Sequence, residues 1–237
     1  MGKGIFTLLV GCMYAGKTEE LIRRIKRFSI AGYEPVVFAP SNSRNRYGLG
    51  LSSYSGLRHE DVYWVDNGVN GIKEMAEVLR ERIARNGKRK VVGIDEIQFF
   101  SLETYDVSTP EGSVFKVPYV WDFIELVNDL GINVIGAGLD KSFRGYPFSV
   151  GMMFLMSMAD ELVKLHAVCD VCKKDNATHT LRMHNVPGEG LKYASWDEPL
   201  VMVGSKDSYM AVCKDDFKVV GEPKSSFKES LKKVLSF

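Results

Sequence analysis

Apolar residues in this chain fall into two alternating rhythms. Short continuous runs (Ile5–Val10, Val36–Ala39, Val62–Val65, Lys90–Ile94 and Asn133–Ala137) are separated by stretches where apolar residues recur every three or four positions. Short continuous runs predict strands buried on both faces, as in a parallel sheet, and the helical rhythm predicts amphipathic helices. The first helix covers 18–30 and ends near Gly32; the second covers Gly71–Arg85, with Ile72, Met75, Ala76, Leu79 and Ile83 on one face; the third runs from about Trp121 to Leu130. A strand, a helix and a further strand make a right-handed parallel unit. Ser41–Leu57 is polar and reads as a long loop, and 102–120, holding Pro110, Gly112 and Pro118, reads as irregular. Gly151–Lys164 carries a methionine stripe and reads as an apolar helix of the kind used in cores and subunit interfaces. Beyond Val163 the pattern changes to short runs and polar turns around three cysteines. The tail holds Ser226-Phe227-Lys228-Glu229, a capping box ahead of Leu231, Val234 and Leu235, and predicts a short surface helix.

Composition narrows the classes without naming a function. The chain has 237 residues, 45% of them hydrophobic, enough for a substantial core. A net charge of +1 supplies no global field toward nucleic acid or membrane. No run approaches the ~20 apolar residues of a membrane span, and the N-terminus enters a strand without a secretory pattern. Four cysteines, two of them in a CxxC, indicate metal or redox chemistry in a reducing compartment. The expectation is a cytoplasmic protein.

The candidate chemistry begins at Gly11-Cys12-Met13-Tyr14-Ala15-Gly16-Lys17-Thr18, which fits GxxxxGK[ST] between a predicted strand and a predicted helix. In that context backbone N–H groups and the helix dipole cradle phosphates. Lys17 would reach the β/γ-phosphates, and the Thr18 hydroxyl would bind Mg²⁺. The fold class follows as α/β, a P-loop NTPase-type parallel sheet. Asp95 and Glu96 end the Lys90–Glu96 strand, where open α/β sheets bind ligands. Asp95 fits a Mg²⁺-holding acid, and Glu96 could accept a proton from an attacking hydroxyl if the turn aims it into the cleft. Cys169-x-x-Cys172 with Cys213 fits a zinc site. Asp216 stands where a second CxxC would end, and His166, His179 and His184 are alternative fourth ligands; a redox CxxC or a site without metal are the other readings. The chain divides into a nucleotide-binding domain over 1–163, a cysteine-bearing lobe over 164–218 and a tail over 219–237. A P-loop switch would need a guanine-reading segment, and none is found. A nucleic-acid module built on the lobe's lysines lacks a basic-aromatic run.

Several segments in order resemble type II thymidine kinases. They are Gly11–Thr18 with Glu20-Leu21-Ile22-Arg23-Arg24, Ile94-Asp95-Glu96-x-Gln98-Phe99-Phe100, Gly138-Leu139-Asp140-x-x-Phe143-Arg144-x-x-Pro147-Phe148, and Ala159-Asp160-x-x-x-Lys164-Leu165 leading into Cys169-x-x-Cys172. The resemblance covers about residues 4–217. It implies ATP- and Mg²⁺-dependent phosphorylation of thymidine at its 5′-hydroxyl, with Glu96 as base and Lys17 and Arg46 stabilising charge. It implies nucleotide binding by Gly11–Thr18, Asp95 and Gln98. It implies nucleoside binding by Phe99, Phe143 and a substrate-gripping loop holding Val201, Met202, Val203, Gly204 and Tyr209. A structural Zn²⁺ on Cys169, Cys172, Cys213 and Asp216, a homotetramer, and feedback inhibition by thymidine triphosphate are further implications. The sequence departs from the family pattern in three places. Arg44 replaces an acid before the loop arginine, Asp216 replaces a Cys or His, and 102–120 is an insertion.

Overall fold

The computed structural model describes residues 2–44, 50–53, 56–186, 188, 190–202 and 208–235. Its centre is a six-stranded parallel sheet built from β1 (Phe6–Gly11), β2 (Glu34–Pro40), β5 (Val62–Val65), β6 (Lys90–Ile94), β9 (Asn133–Gly138) and β10 (Glu161–Leu165). Their order across the sheet is β10-β1-β9-β6-β2-β5. All six residues of β1 and all five of β6 are buried, which accounts for their unbroken apolar runs.

Helix α1 (Lys17–Ile30) buries Leu21, Ile22 and Ile25 against one face of the sheet. On its outer side Arg24 donates to Glu20 and to Glu161 of β10, joining the helix to the sheet edge. Helix α2 (Val69–Arg85) and α3 (Tyr119–Asp129) cover the other face with Met75, Leu79, Phe123 and Ile124 around Phe38, Val92 and Ile94. Short β3 (Leu51–Ser52) and β4 (Arg58–His59) pair within the Ser41–Leu57 region and just beyond it.

Two expectations are corrected here. Residues 102–120 are largely a β-hairpin, β7 (Thr104–Ser108) paired with β8 (Val114–Pro118). Its prolines and glycine occupy positions that tolerate them: Gly112 has φ +84° in the tip, Thr109 and Ser113 close the turn, and Pro118 ends β8. Tyr105 anchors the base by donating to Asp122 Oδ1 at 2.6 Å. The methionine-rich segment is helical only as α4 (Val150–Met158), capped by Ser149 accepting from the Met152 N–H. Residues 161–165 extend instead, pairing parallel with β1 from Thr7↔Glu161 to Gly11↔Leu165. The expected boundary between 163 and 164 therefore falls inside a strand of the main sheet.

After β10 the lobe forms around β11 (His179–Val186), β12 (Gly190–Tyr193) and β13 (Tyr209–Val212), antiparallel in the order β12-β11-β13. The tail carries α5 (Ser226–Leu235), with Phe227 and Val234 exposed. Among the described residues, no helix is long and apolar enough to cross a membrane.

Candidate active site and metal centre

The site begins where β1 stops. The chain turns through Tyr14 at φ +65° and Gly16 at φ +78° before α1 starts at Lys17. A tyrosine in the left-handed region is strained, and such strain concentrates where a loop must hold an unusual shape. Lys17 Nζ donates to Cys12 O at 2.6 Å across the loop. Burial lowers the lysine's pKa, while Glu96, Cys12, Asp95 and Asp140 work to keep it charged. The lobe is fastened to the same loop, because Met13 N–H donates to Thr180 Oγ1 at 3.0 Å and Cys12 Sγ to Ala177 O at 3.4 Å. Cys12 is buried, as expected of a small residue inside the loop.

Asp95 follows β6 and is 2% exposed. Thr18 Oγ1 lies 3.2 Å from each Asp95 carboxylate oxygen, which unites the loop hydroxyl and the strand-end acid. Burial, and then the neighbouring Glu96 carboxylate, push Asp95 up to about 7. Hard oxygen donors at the carboxyl end of a strand beside a phosphate loop fit a magnesium ion, whose charge would restore the ionised form. Glu96 has left the strand and sits at φ +51°, a backbone state disfavoured for a glutamate. That turn takes Glu96 out of the strand's regular alternation, and its carboxylate stays near enough to Asp95 to disfavour the Asp95 charge. Gln98 is fully buried; its Oε1 accepts from the Leu139 N–H at 3.1 Å and its Nε2 donates to Glu96 Oε2 at 2.5 Å. A backbone N–H can only donate, so the orientation of the amide is fixed and its donor end faces the glutamate.

Phe99 packs edge-on to Phe148, ring centroids 6.0 Å apart. Phe148 lies in the Pro147-Phe148 pair of a matching segment, yet nothing in its spacing assigns it a role. Phe143 follows β9 and is 4% exposed, with the Arg182 guanidinium 3.8 Å above its ring. In the lobe, Tyr209 Oη donates to Met202 O at 2.8 Å, beside Val201. Arg46, Val203 and Gly204 lie outside the described residues. Sequence reasoning assigned no role to Thr180, Arg182 or Arg144, because the hydrogen bonds that define their roles join segments far apart in the chain.

The cysteine site lies in the lobe, where Cys169 and Cys213 share one buried cluster with Cys12 and Ala15 of the phosphate loop. Ligand atoms of Cys169, Cys172, Cys213 and Asp216 all lie within 4.8 Å of one another. Cys172 and Cys213 sulfurs are 3.9 Å apart, and Asp216 Oδ2 lies 3.2 Å from the sulfurs of Cys169 and Cys213. Tetrahedral zinc with Zn–S bonds of about 2.3 Å spaces its sulfurs by about 3.8 Å, so this donor set fits zinc. The Cys213 N–H also donates to Cys169 Sγ at 3.3 Å, supporting a thiolate there. The alternative histidines are engaged elsewhere: His179 Nδ1 pairs with Thr178 Oγ1, and His184 Nε2 with Glu198. His166 is not part of the cluster.

A profile of the family described as thymidine kinase matches residues 4–217. A thymidine kinase of Coprothermobacter proteolyticus is 36% identical over 228 residues, covering 95% of this chain and 96% of the relative. Thymidine kinases of Mesoplasma florum (35% identical; 91% of this chain and 92% of the relative) and Mycoplasma capricolum (38%; 90% and 88%) are comparably similar. Among solved structures, the genome packaging NTPase B204 of Sulfolobus turreted icosahedral virus 2 is 16% identical with a TM-score of 0.45, covering 73% of this chain and 78% of that chain, a likeness too loose to bear on function. With a profile match over residues 4–217, and relatives above 30% identity along nearly their own full lengths, the chain belongs to the thymidine kinase family.

Proposed function

We propose that the chain transfers the γ-phosphate of ATP to the 5′-hydroxyl of thymidine, with Glu96 as the base that receives the hydroxyl proton. The observation that carries the Glu96 assignment is its position: a carboxylate at φ +51°, held by Gln98 next to the buried Asp95–Thr18 pair. Gly11–Thr18 would hold the triphosphate through backbone N–H groups, and Lys17 would balance charge building on the transferred phosphoryl group. Thr18 and Asp95 would hold Mg²⁺, which neutralises phosphate charge when bound. Phosphoryl transfer needs mainly positioning and charge stabilisation. Glu96 therefore has to stand within hydrogen-bond reach of the acceptor oxygen, with its carboxylate fixed in direction.

Phe99, Phe143, Val201, Met202 and Tyr209 would surround the nucleoside, the last three being contributed by the lobe. Val203, Gly204 and Arg46 belong to the same proposal on sequence grounds. Zinc on the Cys₃Asp set would hold the lobe's loops together, and so keep Thr180 against the phosphate loop. Thymidine triphosphate presents both a thymine nucleoside and a triphosphate, so the same cleft would accept it as an inhibitor. Val150 and Met153 of α4 are more than half exposed, which supports the homotetramer reading of this apolar helix. The test is a transfer assay with ATP, Mg²⁺ and a panel of nucleosides. Thymidine monophosphate is the expected product, and failure to phosphorylate any nucleoside would reject the proposal.

A further inference from the structure

Two arginines converge on Phe143 from different parts of the chain. Arg182, on β11, stands 3.8 Å above the Phe143 ring and 5.4 Å from the Tyr209 ring. Arg144, the residue after Phe143, stands 4.7 Å from the same ring and 5.7 Å from the Trp196 ring. Both guanidinium groups also hold one short stretch of backbone. Arg182 donates to Pro199 O at 2.6 Å and Leu200 O at 2.7 Å. Arg144 donates to Trp196 O at 2.7 Å and to Glu198 O. Four carbonyls within five residues are thereby tied to the two cations that contact one aromatic ring.

The arrangement is costly for a purely structural device. Arg182 is 3% exposed; its two terminal nitrogens donate to carbonyls, its buried Nε has no hydrogen-bond partner, and no carboxylate lies within ion-pair distance among the described residues. A buried charge without an anionic partner carries a desolvation penalty that an apolar side chain of the same size would avoid. The Glu198 carboxylate is already occupied by His184 at 2.6 Å and by the Ser195 N–H at 2.7 Å, which stiffens the same stretch from its other side. Residues 196–200 run directly into Val201 and Met202, and Met202 O is held in turn by Tyr209.

We propose that Arg144 and Arg182 form a clamp of positioning residues for the nucleoside. Through Phe143 and the carbonyls of 196–200 they fix where the main domain's aromatic ring and the lobe's Val201–Met202 stand relative to each other. This rests on the reading of those residues as nucleoside-binding. Lysine keeps the charge but lacks the planar fork that can serve two carbonyls and lie flat on a ring.

The test compares wild type with Arg144→Lys and Arg182→Lys. KM for thymidine should rise tenfold or more in each, with KM for ATP and the zinc content unchanged. Backbone amide exchange over 196–202 should accelerate in the substrate-free variants. Arg144 is only half-buried, so its variant decides the matter if Arg182→Lys folds poorly. A thymidine KM within twofold of wild type in a folded Arg144→Lys protein, or equal rises in both KM values, would overturn the clamp. If wild type phosphorylates no nucleoside, the proposed function fails, and the exchange measurement still judges the clamp: unchanged protection over 196–202 would refute it.

Discussion

Gly138→Ala would separate the catalytic geometry from simple core packing. A Cβ built on Gly138 meets Gln98 Oε1 at 2.6 Å, Ile97 Cγ2 at 2.9 Å and the Gln98 backbone nitrogen at 3.2 Å. Ordinary contact begins at 3.4 Å, so the Gln98 amide has to retreat by about 0.8 Å. That amide is held at one end by the Leu139 N–H and holds Glu96 at the other, so its displacement moves the proposed base. A misplacement near 1 Å costs on the order of 10²-fold in rate, and that is the expected fall in kcat. Overpacking a tight interior costs about 1–3 kcal/mol of stability. Gly136→Ala supplies the control, because its Cβ meets the ends of Ile97, Leu8 and Phe6 at 2.8, 3.1 and 3.4 Å and does not reach Gln98. Both variants should lose similar stability in urea titrations, while only Gly138→Ala loses kcat, with KM for ATP unchanged in both. Equal kcat in the two folded variants would refute the coupling from Gly138 through Gln98 to Glu96.

A buried ion-pair network offers a second test. Lys90 Nζ, on a side chain only 2% exposed, is shared by Glu34 at 3.0 Å, Asn86 at 2.6 Å and Lys88 O at 3.0 Å, and Arg82 pairs with the same glutamate. Burial opposes the charge on Glu34, but the Asn86 amide, Lys90 and Arg82 outweigh it and hold the carboxyl down at about 2. A depressed folded pKa gives stability that is full above the ordinary value of 4.5 and is lost as pH falls toward 2. Glu34→Gln should cost about 3–5 kcal/mol at neutral pH and flatten the acid limb of denaturation measured between those values; an unchanged acid limb would contradict the network. Asp216→Ala should reduce bound zinc below that of wild type in metal analysis after mild chelation, and full retention would remove Asp216 as a ligand.

The parallel sheet was legible because its strands are buried on both faces, which leaves continuous apolar runs in the sequence. The phosphate loop was legible because its residues are consecutive. Asp216 was readable from its spacing to Cys213, and the cluster confirms that the four side chains meet. The hairpin at 104–118 was hidden because Pro110, Gly112 and Pro118 mark interruption equally well in a loop and in a turn. Strand β10 was hidden because Leu162 and Leu165 continue the apolar spacing of α4, and only pairing with β1 extends them. The roles of Phe148, Thr180 and the two clamp arginines were hidden for another reason, although Arg144 and Phe148 lie in a matching segment. Their partners lie in distant segments, and no local pattern records which side chains packing brings together.

The central claim is that Glu96 accepts the proton as phosphate reaches thymidine. The most direct measurement is single-turnover transfer from ATP to thymidine by Glu96→Gln, alongside ATP affinity measured on the same protein. Glutamine keeps the size and hydrogen-bonding reach of the side chain but cannot take the proton. The account predicts wild-type ATP affinity with transfer reduced at least 10²-fold, the range expected for loss of a general base. Transfer at the wild-type rate with intact ATP binding would contradict it.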